Sequence, residues 1–120
     1  TAMAGSGPAY LYTVVEALIY GALRMGLPRD LALRSAAHTL IGASELLLAS
    51  GKHPAELRDS VVTPGGVTIE GLYELEEGKV RTAFINAVCS ASKQARKLAE
   101  EARTQAEKAI ASPLRPTGRP

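Results

Sequence analysis

Leu27-Pro28-Arg29-Asp30-Leu31-Ala32-Leu33-Arg34-Ser35-Ala36-Ala37-His38-Thr39-Leu40 opens a run that closes at Ser50-Gly51, and its pattern decides the fold. A proline at the start and a glycine at the end bracket a helix. Ala32, Ala36, Thr39 and Ala43 recur at i, i+4, i+7 and i+11, a stripe of small side chains suited to close helix contact. Leu33, Leu40 and Leu47 form a heavier row beside it. No segment alternates apolar and polar like a half-buried strand, and Val61-Val62-Thr63 is too short to count. The expected class is all-α, with five helices.

The other four helices follow from the same signals. The first is expected to start at Ser6-Gly7-Pro8, with Ser6 near the N-cap, and to run to Met25, where Gly26 stops it. Leu11, Val14, Val15, Leu18 and Ala22 form its apolar stripe. A short helix spans about 54–60, with His53 beside Pro54 at its start. A fourth covers about 68–77 and ends at Gly78, with Ile69, Leu72 and Leu75 apolar. The last and longest covers about 79–111, with Val80, Phe84, Ala87, Ala91, Leu98 and Ala102 on one face. Arg96/Glu100, Lys97/Glu101 and Arg103/Glu107 are i, i+4 pairs on its outside, each worth about 0.3 kcal/mol when exposed. The apolar face thins after Ala91, so the end of this helix is expected to project. Residues 112–120 hold three prolines and read as a disordered tail.

Composition narrows the function. The chain has 120 residues, the length of one domain, and 46% are hydrophobic, so it folds. Only 4% are aromatic, with no Trp and one Phe, so the core must use Leu, Ile, Val and much Ala. Small side chains bury little area and stabilise a monomer poorly, which points to further burial between subunits. The net charge of +2 is small, and the basic excess lies in residues 92–120 without interleaved aromatics, so nucleic acid is not an expected partner. No apolar run approaches the ~20 residues needed to span a bilayer, and residues 1–5 carry no charge of the kind that opens a signal peptide. Cys89 is the single cysteine, read as a buried, reduced thiol in a cytoplasmic or organellar protein. His38 and His53 lack the companion spacing of a metal site, so no metal is expected.

The stretch most like a site is Thr63-Pro64-Gly65-Gly66-Val67-Thr68. It offers two hydroxyls, with the N–H groups of Gly65, Gly66 and Val67 little obstructed, at the start of a helix. A carboxylate there would gain charge-assisted hydrogen bonds and the favourable end of the helix dipole. The plain alternative is a turn, with Thr68 capping the helix. Gly5-Ser6-Gly7-Pro8-Ala9-Tyr10 superficially looks like a dinucleotide loop, but Tyr10 falls where the third glycine belongs and no strand precedes it. It reads as a hinge and helix cap, or as a close backbone approach to a ligand.

Three stretches together resemble pyrroline-5-carboxylate reductase. They are Gly5-Ser6-Gly7-Pro8-Ala9-Tyr10, then Met25-Gly26-Leu27-Pro28-Arg29, then His53-Pro54-Ala55-Glu56-Leu57 running through Asp59 and Val61 to Thr63-Pro64-Gly65-Gly66-Val67-Thr68-Ile69. The resemblance covers about residues 3–99. It implies the helical C-terminal domain of an enzyme that reduces 1-pyrroline-5-carboxylate to L-proline with NADPH or NADH, a step of proline biosynthesis. It also implies a five-helix bundle interlocking with a second subunit, of the 6-phosphogluconate-dehydrogenase C-terminal-like class, as a homodimer or a larger assembly. By resemblance, Thr63, Pro64, Gly65, Gly66, Val67 and Thr68 hold the substrate carboxylate, and Thr68 addresses the ring nitrogen as the catalytic group. Ser6, Gly7 and Pro8 would lie near the nicotinamide. The cofactor itself would be bound mainly by an N-terminal Rossmann domain that the 120 residues do not contain.

Three positions depart from the family pattern: Val62 where a small residue is common, Ser60 for a frequent Asp, and Cys89 for a frequent Glu. None removes a donor of the loop. The expectation is therefore a helical domain over 1–111, separated from its nucleotide-binding domain by truncation or proteolysis and inactive alone. The competing expectation is a stand-alone helical oligomerisation module without catalysis.

Overall fold

A computed structural model describes residues 2–111. They form five helices: α1 (Ala2–Arg24), α2 (Arg29–Ser50), α3 (Pro54–Ser60), α4 (Val67–Glu77) and α5 (Val80–Ala111). There is no strand among the described residues. The expected tail at 112–120 lies outside them. Helix α1 packs on α2 and on α5, and α4 packs on α5.

Glycine and proline set the boundaries. After α1, the Leu27 N–H bonds to the Ala22 carbonyl at 3.0 Å and the Gly26 N–H to the Leu23 carbonyl at 3.0 Å, while Gly26 takes φ +91°. That is a Schellman stop, which needs a left-handed residue where Gly26 stands. Pro28 is the N-cap of α2 in extended conformation. His53 caps α3 by accepting the Ala55 N–H on Nδ1 at 3.2 Å, with Pro54 in the first turn. The turn between α4 and α5 falls differently: Gly78 is right-handed and Lys79 takes φ +53°.

The start of α1 corrects an expectation. The helix begins at Ala2 and runs through Ser6 and Pro8, so Ser6 caps nothing. Ala2, Met3 and Ala4 are strong helix formers. Pro8 removes one hydrogen bond, to the carbonyl four residues back, without ending the helix so near its start.

The small-residue stripe of α2 does face α1. Ala32 and Ala36 are the only buried residues of the described chain, at 2% and 7% exposure. Ala32, Ser35, Ala36 and Thr39 line a cleft with Leu18, Ala22 and Leu27. Tyr10 reaches across to α5 and donates to the Ala87 carbonyl at 3.3 Å. Cys89, expected to be buried, is exposed, because at 100° per residue it lies on the side of α5 opposite the stripe of Val80, Phe84, Ala87 and Ala91.

A core of two alanines cannot hold 110 ordered residues. The radius of gyration is 23.1 Å, against about 14 Å for a globular chain of this length. The accessible surface is 10310 Å², against about 6,200 Å² for a folded monomer of 12.6 kDa. Leu31, Leu33, Ile41, Leu46 and Leu48 of α2 all remain exposed. A helix that is apolar around most of its circumference is built to be surrounded.

Candidate functional site

The 63–68 loop joins α3 to α4 through a defined turn. The Gly66 N–H bonds to the Thr63 carbonyl at 3.0 Å, and Gly65 takes φ +65°. Pro64 at the second position and a left-handed Gly65 at the third make this a type II turn. Gly66 is then the extended N-cap of α4, with no side chain capping the helix. Thr68 is the second helical residue and half-buried, so it is not the cap that a plain turn would use.

Gly66 is compact for a reason. A Cβ there would collide with Thr63 Oγ1 and come within 3.1 Å of the Thr63 carbonyl. The Thr63 hydroxyl therefore lies against the backbone that opens α4. The hydroxyls of Thr13, Thr39, Ser60 and Thr104 return to carbonyls of their own helices. Those of Thr63 and Thr68 make no such bond among the described residues. The first N–H groups of α4 have no partner within the helix. Hydroxyl, turn and helix start thus converge on one spot, and Val67 at its front is 90% exposed. The arrangement suits a small anion with room for a further wall.

Behind the loop lies an open groove of about 430 Å³, lined by Val62, Ile69, Leu72 and Tyr73 and rimmed by two ion pairs. Arg58 pairs with Asp59 at 2.7 Å, and Arg81 pairs with Glu76. Val62, one of the departures from the family pattern, forms part of this wall rather than of the loop's donor set.

Ser6, Gly7 and Pro8 are placed elsewhere. They sit early in α1, which packs on α2 and α5, while α4 packs on α5. A Cβ on Gly7 would meet nothing within 4 Å. The chain does not itself bring this segment and the 63–68 loop into one cleft. Nor do the described residues fit a dinucleotide: they offer no strand-to-helix turn, the element that cradles a pyrophosphate. Among them, no three His, Cys, Asp or Glu side chains converge as a metal site. No helix among the described residues is long and apolar enough to cross a membrane. Sequence reasoning missed the groove behind the loop, whose only signal is the apolar spacing of Val62, Ile69, Leu72 and Tyr73.

Comparison with known proteins gives consistent matches. The family model described as pyrroline-5-carboxylate reductase dimerisation matches residues 1–98. Pyrroline-5-carboxylate reductase of Pisum sativum is 51% identical over 98 residues, covering 82% of this chain and 36% of the relative. Pyrroline-5-carboxylate reductase 3 of Xenopus laevis is 54% identical over 95 residues, covering 79% and 35%. Among solved structures, pyrroline carboxylate reductase of Plasmodium falciparum with NADP bound superposes with a TM-score of 0.75 at 37% identity, covering 78% of this chain and 38% of that one. The Coxiella burnetii pyrroline-5-carboxylate reductase gives 0.77 at 36% identity, covering 81% and 36%. The chain thus spans little more than a third of the length of the proteins it matches.

Proposed function

The chain belongs to the pyrroline-5-carboxylate reductase dimerisation family, and from that premise we propose that it is the dimerisation and substrate-loop part of an enzyme making L-proline. The substrate is 1-pyrroline-5-carboxylate and the reductant NADPH or NADH. The observation that carries the proposal is the 63–68 loop, a type II turn feeding an uncapped helix start, with two unengaged hydroxyls beside it.

Reduction of the substrate adds a hydride to the imine carbon and a proton to the ring nitrogen. Two parts of that task fall to this chain. The N–H groups that open α4 and the Thr63 hydroxyl bind and orient the carboxylate, while the Gly66 N–H stays with the Thr63 carbonyl in the turn. The Thr68 hydroxyl hydrogen-bonds the ring nitrogen and assists its protonation. The dinucleotide is held outside residues 2–111, and Ser6, Gly7 and Pro8 approach its nicotinamide end only in the assembled enzyme. Alone, this chain does not turn over. The reading carries with it a cytoplasmic or organellar location, and a homodimer or larger assembly. The unspent apolar surface of α2 supports the dimer.

The test joins this chain to the nucleotide-binding part of the Pisum sativum relative and follows NADPH oxidation with 1-pyrroline-5-carboxylate. Turnover is expected, and Thr68→Ala should cut kcat by about 10²-fold, in the range of removing one proton-transfer or polar catalytic group. A folded chimera that binds NADPH yet lacks turnover would favour the stand-alone oligomerisation module. Unchanged kcat in Thr68→Ala would remove Thr68 from the mechanism.

A further inference from the structure

Tyr10 closely follows the Ser6–Pro8 stretch, and its half-buried hydroxyl donates to the Ala87 carbonyl of α5 at 3.3 Å. This bond spans 77 residues of sequence. Among the described residues, every other side-chain hydrogen bond or ion pair joins near neighbours in the chain. The Tyr10 hydroxyl is therefore the one side-chain polar tie between the first helix and the last.

The seam that it crosses offers little else to fix a register. An open cleft of about 220 Å³ beside the bond is lined by Tyr10, Thr13, Ala83, Phe84 and Ala87. Thr13 keeps its hydroxyl within α1, on the Ala9 carbonyl at 3.1 Å. Apolar contact between such surfaces is non-directional, so it resists axial sliding weakly. A hydroxyl on a carbonyl is directional and weakens steeply with distance and angle. At 3.3 Å the bond is long, so what it supplies is register more than stability.

That register matters because of what the helices carry. Ser6, Gly7 and Tyr10 are all half-buried and fall within an arc of about 100° on α1. Helix α5 supports α4 as well, and the Arg81–Glu76 ion pair closes the joint between them. The placement of Ser6–Pro8 relative to the 63–68 loop thus passes, within the subunit, through the seam of α1 and α5.

We propose that the Tyr10 hydroxyl is a positioning group for the reduction. It sets α1 on α5, and so sets the nicotinamide end at Ser6–Pro8 against the imine held at Thr68. Tyr10 touches neither substrate nor cofactor. The proposal rests on the enzyme reading above and adds a residue to it. Hydride transfer needs its two carbons about 3–3.5 Å apart, and an error of about 1 Å introduced far from the chemistry can cost about 10²-fold.

The test uses the chimera with the nucleotide-binding part of the Pisum sativum relative. Tyr10→Phe removes one oxygen and leaves the ring in the cleft. Its kcat per bound NADPH should fall about tenfold, with KM for 1-pyrroline-5-carboxylate and Kd for NADPH within about twofold of the parent. Thr13→Val alters the same cleft without touching the tie and should leave kcat unchanged. A parental kcat in Tyr10→Phe overturns the proposal, and so does an equal loss in Thr13→Val. Loss of folding or of NADPH sites in Tyr10→Phe, with parental kcat per remaining site, would make the hydroxyl a structural group and also overturn it. A parent chimera that binds NADPH without turnover overturns the enzyme reading itself.

Discussion

Helix α2 and the outer part of α5 are built for opposite surroundings. Beyond its first turn α2 carries three ionisable side chains, Arg34, His38 and Glu45, which fall on one strip about 40° wide. From Lys93 onward α5 carries eight, spread over an arc of about 160° and partly paired: Lys97 with Glu101 at 3.8 Å and Arg103 with Glu107 at 3.0 Å. Yet both helices are mostly exposed, since α2 buries only Ala32 and Ala36. Exposure alone therefore does not distinguish a face that belongs in water from one awaiting a partner, and the distribution of charge does.

The largest effect should come from placing a charge at the seam. Ala36→Asp puts a carboxylate without a partner at a site 7% exposed, and should cost about 3 kcal/mol or more at pH 7. Burial raises the folded-state pKa of such a carboxyl above its unfolded value. The penalty is therefore smallest below about pH 4 and grows as pH rises through that range. Ala106→Asp, on the exposed outer stretch of α5, should cost less than about 1 kcal/mol, mainly helix propensity. Denaturant titrations of both variants at pH 3.5 and 7 check this. Equal penalties at pH 7 would erase the contrast between the two helices.

A smaller effect, of opposite sign, is expected where α4 hands over to α5. Lys79 holds φ +53°, a conformation that costs a residue with a Cβ about 1 kcal/mol. Its neighbour Gly78 is right-handed, and a Cβ there would lie 3.3 Å from the Glu74 carbonyl. The two residues thus divide the tasks of a helix stop, close approach at Gly78 and left-handed turn at Lys79. Lys79→Gly should stabilise the protein by about 0.5–1 kcal/mol, net of the chain entropy that glycine adds. A loss of stability on thermal unfolding would mean that the Lys79 side chain does more than the turn requires.

These cases show what the sequence could and could not carry. Gly26, Gly51, Pro28 and Pro54 act within a few residues of themselves, so the bounds of α1's end, α2 and α3 are legible from the chain. The start of α1 misleads, because Gly5-Ser6-Gly7-Pro8 has the chemistry of a break while Ala2, Met3 and Ala4 extend the helix through it. Burial of Cys89 misleads for another reason: cysteine is a residue type often found inside, but its register on α5 sets it opposite the apolar stripe. The 63–68 loop is legible because its turn is local, one proline and two glycines forming a type II turn onto α4. The groove lined by Val62, Leu72 and Arg81 is not, because it needs α3, α4 and α5 in place.

The finest test of the contrast is the Arg103–Glu107 pair, which lies beyond the residues that match the family. Its side chains are 82% and 64% exposed, so water and salt screen the attraction and the pair should be worth about 0.3–0.5 kcal/mol. Glu107→Gln keeps the length and nearly the helix propensity of glutamate, so it isolates the charge. The expected loss in stability is under about 0.5 kcal/mol at low ionic strength. It should vanish near 1 M salt, where the screening length is about 3 Å. A loss above about 1 kcal/mol that survives high salt would mean that the end of α5 is desolvated. The outer part of α5 would then join α2 as a surface made to be covered.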